Sequence, residues 1–354
     1  MTRKLFRPGG PLGIQDLGNH QYRMNISLPP DQDGRIAREC PRSGCSPAYF
    51  KVRPGTGLAG MAVAYCPYCR HDSAPNDFAT REQVRYAKDL AVREAHKGLD
   101  GIVKDALGIG RSGKRTFGGG MLSMTMTYKP GALPSVRRPY EDEVRRDVVC
   151  PHCALDHTVF GLATWCSDCG EDIFLTHVQA ELAVTRSMVG DMERRRETLG
   201  PRVAAKDLEN CLEDAVSLFE AAMKALSRRR LASTGASEEE VEARLRKLGN
   251  GYQNIARTKE LLPDVLGIDL PPGVEWDRLG EAFEKRHPIT HNLGVVDRKY
   301  LERSQSHDRH GREVRITASE VQTLLDDVMA AVSASHAARF GSTPPSGAVE
   351  DGHG

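Results

Sequence analysis

The stretch CPHCALDHTVFGLATWCSDCGEDIF, residues 150–174, holds the point at which this chain changes character. Two C-x2-C knuckles, Cys150/Cys153 and Cys166/Cys169, stand twelve residues apart. Each knuckle places two thiolates on one tight turn. Two knuckles together offer four sulfurs in the tetrahedral arrangement that suits zinc. Gly170, directly after the last cysteine, fits the turn that lets backbone N–H groups reach the sulfurs. From Asp172 onward the knuckles give way to apolar residues at helical spacing. The stretch therefore joins a small zinc ribbon to a helical domain.

Toward the N-terminus lies a looser version of the same unit. Cys40 and Cys45 are separated by four residues, and Cys66 and Cys69 form the knuckle CPYC. Eight of the nine cysteines thus fall into four close pairs. Spacing predicts two structural zinc ions, one per unit, and leaves crossed pairing of Cys66/Cys69 with Cys150/Cys153 open. The N-terminal MTRKLFRPGGPLG is basic but has no apolar run behind it, so no signal peptide is expected. Paired thiols in such a chain point to metal in a reducing cytoplasm rather than to disulfides. An all-cysteine site is closed, so these metals would be staples and not catalysts. Tyr49, Phe50, Lys51, Tyr65 and Tyr68 surround the first unit, where they would either stack on nucleotides or fill the ribbon's core. Cys211 sits on a helical apolar stripe and reads as a buried thiol.

With 354 residues, 39% hydrophobic and 27% charged, the chain has room for two or three domains and no case for wholesale disorder. A formal charge of +1 gives no global sign of nucleic-acid binding. The local basic clusters, Arg111 to Arg115, Arg137–Arg138, Arg194 to Arg196 and Arg228 to Arg230, are more often solvated faces than phosphate tracks. No apolar run reaches the ~18 residues of a membrane span.

The organisation that follows is a loose arm over 1–35, a first ribbon over 36–76, and a helix-plus-strand connector over 77–145. A second ribbon over 146–171, a helical bundle over 172–340 and a disordered tail over 341–354 complete it. In the connector, Val84, Ala87, Ala91, Ala95, Leu99, Ile102 and Ala106 mark one helix from Thr80 to Leu107. Leu122, Met124, Met126 and Tyr128 alternate with polar residues as a half-buried strand. Between them, Gly108 to Gly120 reads as a glycine-rich loop. Its G-x-G-x-x-G match follows a helix and precedes a strand, and Arg115 stands where a phosphate loop needs Ser or Thr, so nucleotide binding there is not expected. In the bundle, five amphipathic segments are marked. They run through Phe174 to Met192, Leu208 to Leu226, Ser237 to Leu266 with a break at Gly249–Gly251, Trp276 to Phe283, and Val321 to Val332. The fold class is mainly α, with two small β zinc ribbons and an intervening helix.

The segment EKRHPITHNLG, residues 284–294, carries the chemistry. His291 can move a proton near pH 7, and Arg286 can hold a phosphate bidentately as its charge rearranges. On a regular helix five residues span ~140°, so His287 and His291 share a face and Arg286 points elsewhere. Pro288 removes an N–H and disfavours helix at His287, and a kink there would bring Arg286 and His291 together. The plainer reading pairs Arg286 with Glu281 or Asp297 and uses the histidines as helix caps. His287 and His291 with His307 and His310 also suggest a metal, but no glutamate lies inside the H-x3-H.

Arg286-His-Pro-Ile-Thr-His291, an Arg-x4-6-His motif with a polar residue after the arginine, resembles the HEPN superfamily. The similarity spans FEKRHPITHNLGVVDRKYL, residues 283–301, and at most Asp172 to Phe340. The resemblance implies a metal-independent endoribonuclease, with Arg286 and His291 catalytic and His287 auxiliary. It implies a homodimer whose Arg-His sets meet in one cleft, and a role as a toxin or anti-phage effector with an antitoxin or defence partner. Pro288 is a departure from the motif. The alternative is a non-catalytic nucleic-acid- or protein-binding adaptor that uses the ribbons as its platform.

Overall fold

The apolar stripes close on one another. A computed structural model of the protein describes residues 5–6, 8–19, 21–109, 113–119, 122–139, 146–304 and 308–341. In chain order its strands are β1 (Gln15–Gly18), β2 (Gln21–Arg23), β3 (Ile36–Glu39), β4 (Tyr49–Val52), β5 (Ala64–Tyr65), β6 (Asp72–Ser73), β7 (Lys114–Phe117), β8 (Met124–Thr127), β9 (Arg146–Val149) and β10 (Asp156–Val159). Its helices are α1 (Arg81–Ala106), α2 (Phe174–Gly190), α3 (Met192–Leu199), α4 (Pro201–Ala232), α5 (Glu238–Leu248), α6 (Ile255–Leu261), α7 (Trp276–Asn292), α8 (Arg298–Arg303) and α9 (Ala318–Phe340).

The chain divides into two units. One comprises Met1–Glu39, Lys51–Pro54 and Pro75–Glu143; the other comprises Cys40–Phe50, Gly55–Ala74 and Val144–Gly354. In the first, α1 opens on a capping box. Thr80 accepts from the Gln83 N–H, and Gln83 accepts from the Thr80 N–H and reaches on to the Ala37 carbonyl at 2.8 Å. Two expectations change here. The supposed loose arm contains the antiparallel hairpin β1–β2, and the supposed glycine loop contains β7, which pairs with the expected strand β8. Three of the four residues of β7, Lys114, Arg115 and Thr116, are polar or cationic, so the sequence carried no strand period there. Hairpin β7–β8 is largely exposed rather than half-buried, with Met124 at 64%. Residues 110–112 of the glycine loop, and 342–354 of the tail, lie outside the described residues.

In the second unit, α4 is the central helix. It begins with Pro201 at its first position, where the missing N–H costs nothing, and packs against α2, α3, α5, α7 and α9. The five expected segments, from Phe174, Leu208, Ser237, Trp276 and Val321 onward, all contribute to one core, the third of them through Tyr252 and its later residues. At its centre Phe219 meets Phe283 edge to face, with ring centroids 5.3 Å apart. Tyr252 is fully buried because its hydroxyl finds the Ser227 hydroxyl at 2.7 Å. The predicted segments are cut more finely than the stripes suggested. Met192 opens α3 instead of closing α2, and α5 and α6 flank the Gly249–Gly251 break.

Candidate functional site

Both cysteine units belong to the second unit of the fold, and the sulfurs of each converge. Cys40 stands 3.7 Å from Cys69, and Cys45 3.7 Å from Cys66. Cys150 stands 3.7 Å from Cys169, and Cys153 3.5 Å from Cys166. All four sulfurs of each group lie within 4.8 Å of one another. A tetrahedron of ~2.3 Å metal–sulfur bonds has edges of about 3.8 Å, so both groups are dimensioned for one metal ion. The pairing left open by spacing is resolved: each early pair joins its own later pair, with no crossing. Shared sulfur hydrogen bonding lowers the Cys150 thiol and raises its partner Cys166.

The turns that aim these sulfurs repeat one backbone device. The residue after each second knuckle cysteine is left-handed: Arg70 at φ 60°, Ala154 at 59° and Gly170 at 68°. Gly170 also lacks room for a side chain, since a Cβ would meet the Tyr65 ring at 3.0 Å. The two ribbons are sewn together by backbone, with Tyr65 N–H donating to Ser167 and Thr164 N–H to Pro67, each at 2.8 Å. The aromatic residues are structural. Phe50 is buried, and the Tyr68 hydroxyl donates to the Tyr49 carbonyl at 2.7 Å and accepts from the Phe160 N–H at 3.1 Å. Lys51 pairs with Asp31 at 2.7 Å.

The ribbons are anchored to the bundle by groups that the sequence did not flag. The Ala163 N–H donates to buried His177 on α2 at 2.8 Å. Asp172 receives Arg229 of α4 and, at 3.1 Å, His336 of α9. Burial pushes the Asp172 carboxyl up, but His336, the Phe174 N–H and Arg229 outweigh it and hold it at about 2. The three residues are too far apart in sequence to form any local pattern. Members of two basic clusters are also paired: Arg194 and Arg195 with Asp191, and Arg228 with Glu238 and Glu242.

The Arg-His segment departs from expectation. Helix α7 runs unbroken through Pro288 to Asn292. A proline at this depth removes one N–H, and its own burial with Ile289 offsets that loss. Asn254 donates to Glu284 at 3.1 Å, and Arg286 donates to Gln253 at 2.8 Å. Gln253 in turn donates to Glu220 at 2.5 Å. Arg286 is therefore half-buried and tied to a glutamine, neither beside His291 nor paired with Glu281 or Asp297. His287 and His291 do come together, with ring centroids 5.1 Å apart. Burial and the charges of Lys299, His291 and Arg303 hold His287 below the ordinary histidine value, against the opposing pull of Asp297. His307 lies outside the described residues. Among those described, the two cysteine groups are the only clusters of three or more ligand side chains sized for a metal. Cys211 is buried as expected, and burial leads the effects that push its thiol up to about 11.

Among the described residues, no helix is long and apolar enough to cross a membrane. No family model, curated protein or solved structure matches the chain.

Proposed function

We propose that the protein is a metal-independent endoribonuclease whose proton-transfer groups are His287 and His291, carried on a bundle stapled to two zinc ribbons. The observation behind this reading is the pair of histidines facing each other near the C-terminal end of α7, with His287 held toward its neutral form by burial and then by cationic neighbours. Neutral His287 takes the proton from an RNA 2′-hydroxyl, and that oxygen attacks the adjacent phosphorus. His291 gives a proton to the departing 5′-oxygen. The products are a 2′,3′-cyclic phosphate and a 5′-hydroxyl. Lys299 and Arg303 on α8 supply positive charge for the phosphate. Arg286, bonded to Gln253, is a positioning residue here, which revises the role suggested by its motif. The zinc ions, held by Cys40, Cys45, Cys66 and Cys69 and by Cys150, Cys153, Cys166 and Cys169, supply folding energy and no step of the reaction. The HEPN resemblance adds a homodimer to this reading.

The test is cleavage of a labelled RNA by the full chain in chelated buffer, with zinc content measured before and after and mass read by light scattering. His287→Ala and His291→Ala should each lose at least ~100-fold in rate, and Arg286→Ala less. A substrate with 2′-deoxy at the cut site should resist. A strictly monomeric active species would remove the dimeric cleft from the account. One observation favours the adaptor reading instead: the tie between Arg286 and Gln253 serves the bundle equally well without catalysis. Intact histidines with no cleavage of any RNA would select it.

A further inference from the structure

Within the second unit, a cavity of about 860 Å³ opens between the ribbons and helices α4, α5 and α9. It shares no lining residue with the histidine pair of α7. Its size falls in the range of sites that enclose a small organic ligand, ~300–1,000 Å³.

Its charge is strongly one-sided. Seven arginine and lysine side chains line it against two glutamates, Glu238 and Glu242. Both glutamates are already engaged by Arg228, at 2.9 and 2.5 Å. Lys224 is paired with Glu220 at 2.6 Å. Arg70, Arg246 and Arg339 are left with no carboxylate partner among the described residues. The Nε of Arg339 is enclosed and makes no hydrogen bond. Among the described residues, no ion-pair partner offsets the positive charge that Arg339 brings to the cavity wall.

The remaining walls are apolar and aromatic. Leu162, Leu245, Trp165 and Phe340 contribute to them. Two guanidiniums are already fixed on these rings. Arg229 lies 4.4 Å from the Trp165 centroid and 3.9 Å from that of Phe340, and Arg70 lies 4.7 Å from Trp165. These stacked guanidiniums hold the aromatic wall of the cavity in place. A bare phosphate would satisfy the cations but leave most of the cavity and its apolar walls wet. A neutral hydrophobe would strand the cations. The combination fits a ligand with an anionic end and a planar, apolar body.

We infer that this cavity binds a nucleoside phosphate, with the phosphate on Arg246 and Arg339 and the base against the aromatic and apolar wall. Binding here does not depend on the ribonuclease reading, because it uses none of that site's residues.

Calorimetric titration of the zinc-loaded full chain with AMP, GMP, ATP and GTP tests it, with inorganic phosphate and adenosine as controls. At least one nucleotide should bind in the micromolar range, and phosphate and adenosine alone should each bind at least ~10-fold more weakly. Arg246→Glu and Arg339→Gln should each weaken nucleotide binding at least ~10-fold at unchanged zinc content. Arg246 is exposed, so its variant keeps the test decisive if Arg339→Gln fails to fold. Absence of nucleotide binding at millimolar concentration overturns the proposal. So does binding that ignores both substitutions, phosphate binding as tight as any nucleotide, or binding restricted to an RNA oligomer.

Discussion

His287 lies near Lys299, Arg303 and a second histidine, and its chemistry follows from that company. Burial comes first among the causes that lower its pKa, then Lys299 and His291; Asp297 opposes them. The folded value lies below the ordinary one, so at acid pH the unfolded chain binds the extra proton more readily. Stability contributed by His287 is therefore complete above the ordinary histidine value of about 6.5 and is lost as pH falls through the folded value. Titration of the His287 ring by NMR should give a midpoint below 6.5. His287→Gln should flatten the dependence of the unfolding midpoint on pH in that window; a midpoint at or above the ordinary value would remove His287 from the role of base. Arg286 shows the other side of residue-scale reading. Its partner Gln253 is uncharged, so no search of the sequence for complementary charge could find it.

At the scale of elements, legibility depended on period. The stripes of α2, α4, α7 and α9 were visible because every third or fourth residue enters one core. The knuckles were visible because metal ligation fixes spacing, yet their pairing was not, since either combination gives four sulfurs. Hairpin β1–β2 and strand β7 are short and mostly exposed, and their residues carry no apolar alternation to read, whereas β8 was legible because Met124 and Met126 alternate with threonines. The run of α7 through Pro288 was misjudged because contacts outside the segment, to Gln253 and Asn254, brace the helix. The same helix is clamped to α9, where Arg278 grips Asp327 through two hydrogen bonds of 2.7 and 2.6 Å. Asp327 is nearly buried, at 5% exposure, so its two oxygens rely on that fork for their hydrogen bonds. Asp327→Ala should lower stability by about 2 kcal/mol in denaturant unfolding. A change within ~0.5 kcal/mol would mean that the pair contributes nothing net.

For the whole molecule, the ribbons and the bundle are mechanically linked. The ribbon Ala163 N–H rests on His177, and Asp172 holds Arg229 and His336 at the start of α2. Loss of metal should therefore be felt beyond the ribbons. Elemental analysis should find two zinc ions per chain. Cys166→Ser should release one of them and lower the unfolding temperature of the bundle as well, because binding and folding are coupled in such sites. A chain that purifies with no metal and melts normally would contradict this.

The central claim is that the α7 histidines cut RNA, and one measurement addresses it directly. The wild-type chain and a His287→Ala/His291→Ala double variant are matched for zinc content and melting temperature. Both are given the same RNA in chelated buffer, and the product ends are identified. The wild type should leave 2′,3′-cyclic phosphate ends, and the variant should cut at least ~100-fold more slowly. Equal rates from the two proteins, or products lacking the cyclic phosphate, would contradict it.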